Sequence, residues 1–124
     1  MNAEYYQLLN EFLSFKTVST LDKEFEKEHK KCCEWLKELF LKNWFKSEII
    51  GSPFFPSVVA KYETNIDAET CLIYWNYDVP FADKFDWWKD EPFSLYFWKD
   101  KIFWRWVADG KWKRRNRGIF WLVG

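Results

Sequence analysis

The chain reads as an α/β protein in which two N-terminal helices pack on a mixed β-sheet. Three observations predict it. Apolar residues recur at helical spacing over 3–15 and again over 22–42. Short runs rich in β-branched and aromatic residues follow, bounded by Gly, Pro and Asp. No linker or internal repeat divides the 124 residues, which are enough for one compact domain.

Taken in order, Tyr5, Leu8, Leu9, Phe12 and Leu13 share one face of a first amphipathic helix. Thr17-Val18-Ser19-Thr20 breaks it. Asp22 is placed as the N-cap of a second helix that runs to Lys42, with Phe25, Cys32, Leu36, Leu39 and Phe40 on one face. Residues 46–50 read as a strand, Gly51-Ser52-Pro53 as a turn, and 57–62 as a second strand. After a polar turn over 64–69, the apolar run 70–75 predicts a third strand, central in the sheet. Residues 76–92 form a long loop dense in Asp and aromatics. Residues 93–97 and 101–104 predict a hairpin around Trp98-Lys99-Asp100. The end of the chain, 111–124, is basic and then apolar, without a clear period.

Composition excludes several classes. The 19 basic and 19 acidic residues balance, which gives no electrostatic case for a nucleic-acid partner or an acidic membrane. No apolar run approaches the roughly 20 residues of a membrane span. Met1-Asn2-Ala3-Glu4 lacks the basic-then-apolar form of a secretory signal. Cys32, Cys33 and Cys71 make no disulfide framework, since adjacent helical cysteines rarely pair. A reducing cytoplasm is the expected compartment. Cys32 and Cys33 are expected in or near the core, and Cys71 buried on its strand. His29, within Lys27-Glu28-His29-Lys30-Lys31, reads as solvated. Asp83, Asp86 and Asp90 fit no calcium-loop spacing. The basic run 111–117 reads as a solvated tail.

The chemistry is concentrated in Trp75-Asn76-Tyr77-Asp78, which follows the apolar run and leads into Val79-Pro80. On an extended segment, residues at i and i+2 point to the same side. A metal-ligating side chain at 76 could then be oriented by a carboxylate at 78, the second-shell arrangement common at zinc sites. With glycine at 75 and histidine at 76 the stretch would be Gly-His-x-Asp. It resembles that motif of the two-zinc dipeptidase, aminoacylase and carboxypeptidase family of metallopeptidases. Arg105-Trp106-Val107-Ala108-Asp109-Gly110-Lys111-Trp112 resembles the family's Arg-Gly-x-x-Asp-x-Lys-Gly segment, and Asp86-Trp87-Trp88-Lys89-Asp90-Glu91-Pro92-Phe93 its Asp-Gly-Trp-x-x-x-Pro-Phe segment. Phe15-Lys16-Thr17-Val18-Ser19-Thr20 is similar to the family's first helix exit, and Trp35-Leu36 matches its second helix. The likeness spans about residues 4–112, which implies the N-terminal part of a catalytic domain over 1–112 and a divergent basic and apolar tail over 113–124.

The resemblance implies part of a zinc-exopeptidase-like catalytic domain holding two zinc ions. Asp109 takes the position of the bridging metal ligand, Asn76 that of a ligand histidine, and Asp78 that of the carboxylate orienting it. An amide oxygen is a poor zinc ligand, so Asn76 implies a weakened or empty metal position. The implied substrates are small peptides or N-acyl amino acids, and full-length members are often homodimers. The family's general-base Glu and remaining ligands should lie beyond Asp109, so this chain is expected to be an N-terminal fragment, inactive alone.

Tryptophan is the anomaly, at ten residues against four glycines. Against the family pattern Trp44, Trp75, Trp87, Trp98, Trp104, Trp106 and Trp112 stand at glycine positions, while Trp35 and Trp88 stand where the family has Trp. Overpacking costs about 1–3 kcal/mol per site. Seven such sites together would rival the about 5–15 kcal/mol that holds a typical domain. Reading a UGA codon as Trp, in a lineage that reads it as Gly, would write such a sequence. A different class of function also accounts for the count: an aromatic-rich, non-catalytic module that stacks exposed Trp on sugars or single-stranded nucleic acid.

Overall fold

The computed structural model describes residues 3–80, 93–98 and 101–103. Within them the order is α1 (Ala3–Ser14), α2 (Lys23–Lys42), β1 (Lys46–Gly51), β2 (Pro56–Lys61), β3 (Tyr96–Trp98) and β4 (Lys101–Phe103). The two helices and the β1–β2 sheet make a small α/β arrangement, with α2 packed on both strands.

Helix α1 turns Tyr5, Leu8, Leu9, Phe12 and Leu13 partly inward and leaves Glu4, Gln7, Asn10 and Glu11 exposed. At 12 residues it is too short to persist alone and depends on packing. Trp35 of α2 supplies that packing. Its ring stacks on Phe12 at 5.9 Å and meets Phe15 at 5.8 Å, and its Nε1–H donates to Glu11 Oε2 at 3.2 Å. Asp22 stands at the N-cap of α2, where its carbonyl accepts the N–H groups of Phe25 and Glu26 at 3.0 and 3.2 Å. Its carboxylate caps no N–H, so it acts through backbone and charge at the positive end of the helix.

β1 and β2 pair antiparallel from Lys46↔Lys61 to Gly51↔Pro56. Along β2, Pro56, Val58 and Ala60 are turned inward while Ser57, Val59 and Lys61 are exposed, the period-two signature of a half-covered strand. The turn depends on Gly51, at φ +96°, where an added Cβ would lie 3.0 Å from the Phe55 carbonyl. At the open end two lysines face each other across the strands, an unfavourable pair. Glu63 answers both, at 2.7 Å from Lys46 and 2.6 Å from Lys61, and these contacts hold its carboxyl at about 2.

Three expectations are corrected. Residues 70–75 form no strand; they carry no regular structure, and Leu72, Ile73 and Tyr74 are 79–89% exposed. Cys71 is exposed with them rather than buried. A β-prone run becomes a strand only against a neighbour, and no described strand pairs with this one. The sheet is therefore antiparallel rather than mixed; the parallel contact described is a single bridge, Val18↔Val79. The predicted second hairpin is present but shorter, with Tyr96↔Phe103, Phe97↔Ile102 and Trp98↔Lys101 paired. The tail 113–124 and most of the loop after Pro80 lie outside the described residues. No described helix is long and apolar enough to cross a membrane.

Candidate functional site

The site is built where the exit of α1 meets the segment after residue 76. Val79 N–H donates to Thr17 O at 2.9 Å, and Ser19 N–H donates to Val79 O at the same distance. These two bonds make the Val18↔Val79 bridge. The Thr17 hydroxyl donates to Tyr77 O at 2.8 Å, and the Ser19 hydroxyl to Asp78 Oδ2 at 2.7 Å. Four hydrogen bonds thus join stretches about sixty residues apart in sequence and fix the backbone on both sides of Asp78. Asp78 itself stays exposed, with its carboxylate held from below.

Beneath this junction lies a side chain that the sequence reading placed in solvent. His29 is fully buried. Its Nε2 lies 2.8 Å from Val18 O, and since a carbonyl only accepts, Nε2 carries the hydrogen. Its Nδ1 lies 3.3 Å from the Tyr77 hydroxyl, which donates to Pro56 O at 2.6 Å. The imidazole therefore hydrogen-bonds one half of the junction through Val18 and packs edge-on against Tyr77 of the other, while the Tyr77 hydroxyl gives its one hydrogen to the first residue of β2. The charged neighbours Lys27, Glu28, Lys30 and Lys31 pointed to a solvated histidine. The overlooked signal is spacing: position 29 is four residues after Phe25 and three before Cys32, on the apolar face already recognised.

Cys32 and Cys33 complete the buried layer, as expected from their place on α2. Burial pushes both thiols above their usual range, so neither is poised as a thiolate nucleophile. Burial, reinforced by the Cys33 thiol beside it, also raises the Tyr77 hydroxyl and keeps it a neutral donor. At the rim, burial raises the Glu28 carboxyl, but the Lys31 ammonium and the Lys16 backbone N–H outweigh it and hold the group below its ordinary value.

Of the predicted site residues, Asn76 and Asp78 are both exposed. Asp78 accepts from the Ser19 hydroxyl, because the bridge of Val79 to Val18 brings Ser19 alongside the carboxylate. Asp109 lies outside the described residues. Among the described residues no three His, Cys, Asp or Glu side chains converge as a metal site. Asp78 and Asn76 offer one carboxylate and one amide, a donor pair that does not fit zinc without further ligands. No family model, curated protein or solved structure matches this chain.

Proposed function

We propose that this chain carries the first part of the catalytic domain of a two-zinc peptidase of the dipeptidase and aminoacylase type. It would act on small peptides or N-acyl amino acids in a reducing cytoplasm, in a protein whose remaining ligands and general base come from other segments. The observation that carries the reading is the junction itself. The stretch that resembles the family's helix exit, residues 15–20, hydrogen-bonds along the stretch that resembles its metal motif, residues 75–80. A pair of unrelated loops has no reason to meet in this register, and the result presents Asp78 outward with one oxygen already fixed. Asp78 then serves as the orienting carboxylate for a ligand at 76, and Asp109 as the bridging ligand. Zinc, when bound, would polarise a substrate carbonyl and acidify a water. The described donors do not by themselves fit the ion. The aromatic-module reading draws on the exposure of Trp44, Tyr74 and Trp75, but it leaves the junction around Asp78 without a purpose.

The test is metal binding by the whole chain. Cobalt titration followed by its visible spectrum should give weak binding for the chain as written, since an amide stands at 76. Asn76→His should tighten binding by roughly tenfold or more, the scale on which ligand-shell changes act. Adding Asp109→Ala should abolish that gain. A histidine variant that binds no tighter, or one whose gain survives loss of Asp109, would sink the reading. The chain alone should show no dipeptide hydrolysis.

A further inference from the structure

Two of the described residues have left-handed backbones: Gly51 at φ +96° and Trp44 at φ +69°. Glycine adopts that backbone freely in its turn, whereas a bulky residue such as Trp44 there is an outlier. It follows the C-cap Asn43 of α2. Its N–H donates to Leu41 O at 3.2 Å, and the Phe45 N–H donates to Phe40 O at 3.0 Å. These are the paired bonds of a Schellman cap, and the Phe40 and Phe45 rings at 5.3 Å supply the hydrophobic contact that accompanies it. The residue in Trp44's place in that cap is ordinarily glycine, since the left-handed backbone pushes any Cβ against the following carbonyl. Tryptophan could be kept there only if its indole gained enough by packing. Trp44 is 87% exposed, so it gains little. Trp35 is the opposite case, in ordinary helical backbone, between two rings and hydrogen-bonded to Glu11.

We infer that the native polypeptide carries glycine at position 44, specified by a UGA codon that its source reads as glycine and that a UGA-as-tryptophan table writes as tryptophan, whereas Trp35 is a true tryptophan. The cap bonds, the φ angle and the exposure carry this without any appeal to metal chemistry. Trp44 and Trp35 therefore belong to two chemical classes that the letters do not distinguish.

Trypsin separates the two positions. Cleavage after Lys42 and Lys46 releases residue 44 in Asn43–Lys46, and cleavage after Lys31 and Lys37 releases Trp35 in Cys32–Lys37. In protein isolated from its natural source, the first peptide should have the mass of Asn-Gly-Phe-Lys and the second should retain tryptophan. Tryptophan at 44, or glycine at both positions, would overturn the inference. The gene should carry UGA at 44 and UGG at 35. A recombinant comparison tests the backbone argument separately. Trp44→Gly should shift the folding equilibrium roughly tenfold toward the native state. Trp44→Ala removes the indole but keeps the Cβ, and should recover little of that shift. Equal gains from both variants would place the defect in the indole and defeat the argument from φ.

Discussion

Residues 77–79 and residues 66–75 are neighbours in the chain and opposites in the fold. The first group is tied down by four hydrogen bonds to residues 17–19 and by Tyr77 to the buried His29. The second is the more apolar by sequence, yet Ile66, Leu72, Ile73 and Tyr74 are 79–97% exposed. Apolar character alone did not decide which segment would be fixed. Partnership did: the 77–79 backbone found an extended neighbour and a buried polar support, and the 66–75 backbone pairs with no described strand. A polar network can therefore anchor a loop more firmly than a run of hydrophobic side chains that faces water.

The comparison breaks most severely at His29. His29→Ala removes a fully buried side chain, leaves Val18 O with the Thr20 N–H as its remaining donor and uncovers the Tyr77 ring on that side. The cavity and the lost hydrogen bond together should cost about 2–4 kcal/mol, read as a fall in the urea midpoint. Because the residue links α2 to both halves of the junction, amide exchange at Ser19 and Val79 should speed up along with the global loss. A cost under about 1 kcal/mol, at the low end for buried-site changes, would mean that the imidazole is a passenger.

Tyr77→Phe sharpens the same point with a smaller change. It keeps the ring edge-on against His29, with 5.6 Å between ring centroids, and deletes only the hydroxyl that donates to Pro56 O. The expected loss is about 1–2 kcal/mol, the range for one buried hydrogen bond whose acceptor keeps only a weak donor, the Cys33 thiol at 3.6 Å. Equilibrium denaturation measures it. If His29→Ala and Tyr77→Phe act through one network, the double variant should cost less than the sum of the two.

Much of this was legible and some was not, for physical reasons. The periodicity of Tyr5 to Leu13 and of Phe25 to Phe40 located both helices, because a 3.6-residue stripe is a local property. The Gly51 turn and the two flanking strands were readable for the same reason. Asp78 could be singled out from its spacing to Asn76. Ser19 could not, because its hydroxyl reaches Asp78 only through pairing across about sixty residues. Thr17 and Val18 read as a helix break, yet they are 3% and 2% exposed at the centre of the core. A break in periodicity marks the end of a helix and says nothing about what then covers it. The exposed run 70–75 failed in the opposite sense, since β-propensity measures fit to a sheet and the sequence does not say whether a sheet edge is at hand.

The smallest expected effect is the most discriminating for that last point. Ile73 is 79% exposed, so Ile73→Ser should change stability by no more than about 0.5 kcal/mol, as surface substitutions do. Were 70–75 a central strand, the same substitution would strip apolar area from a core and cost about 2–4 kcal/mol, comparable with His29→Ala. The two variants measured side by side in urea thus separate the alternatives by several-fold in free energy. Near-equality would return residues 70–75 to the interior and require a strand beside them, whereas a null result at 73 with a large one at 29 leaves the weight of the fold on the imidazole and the loop it holds.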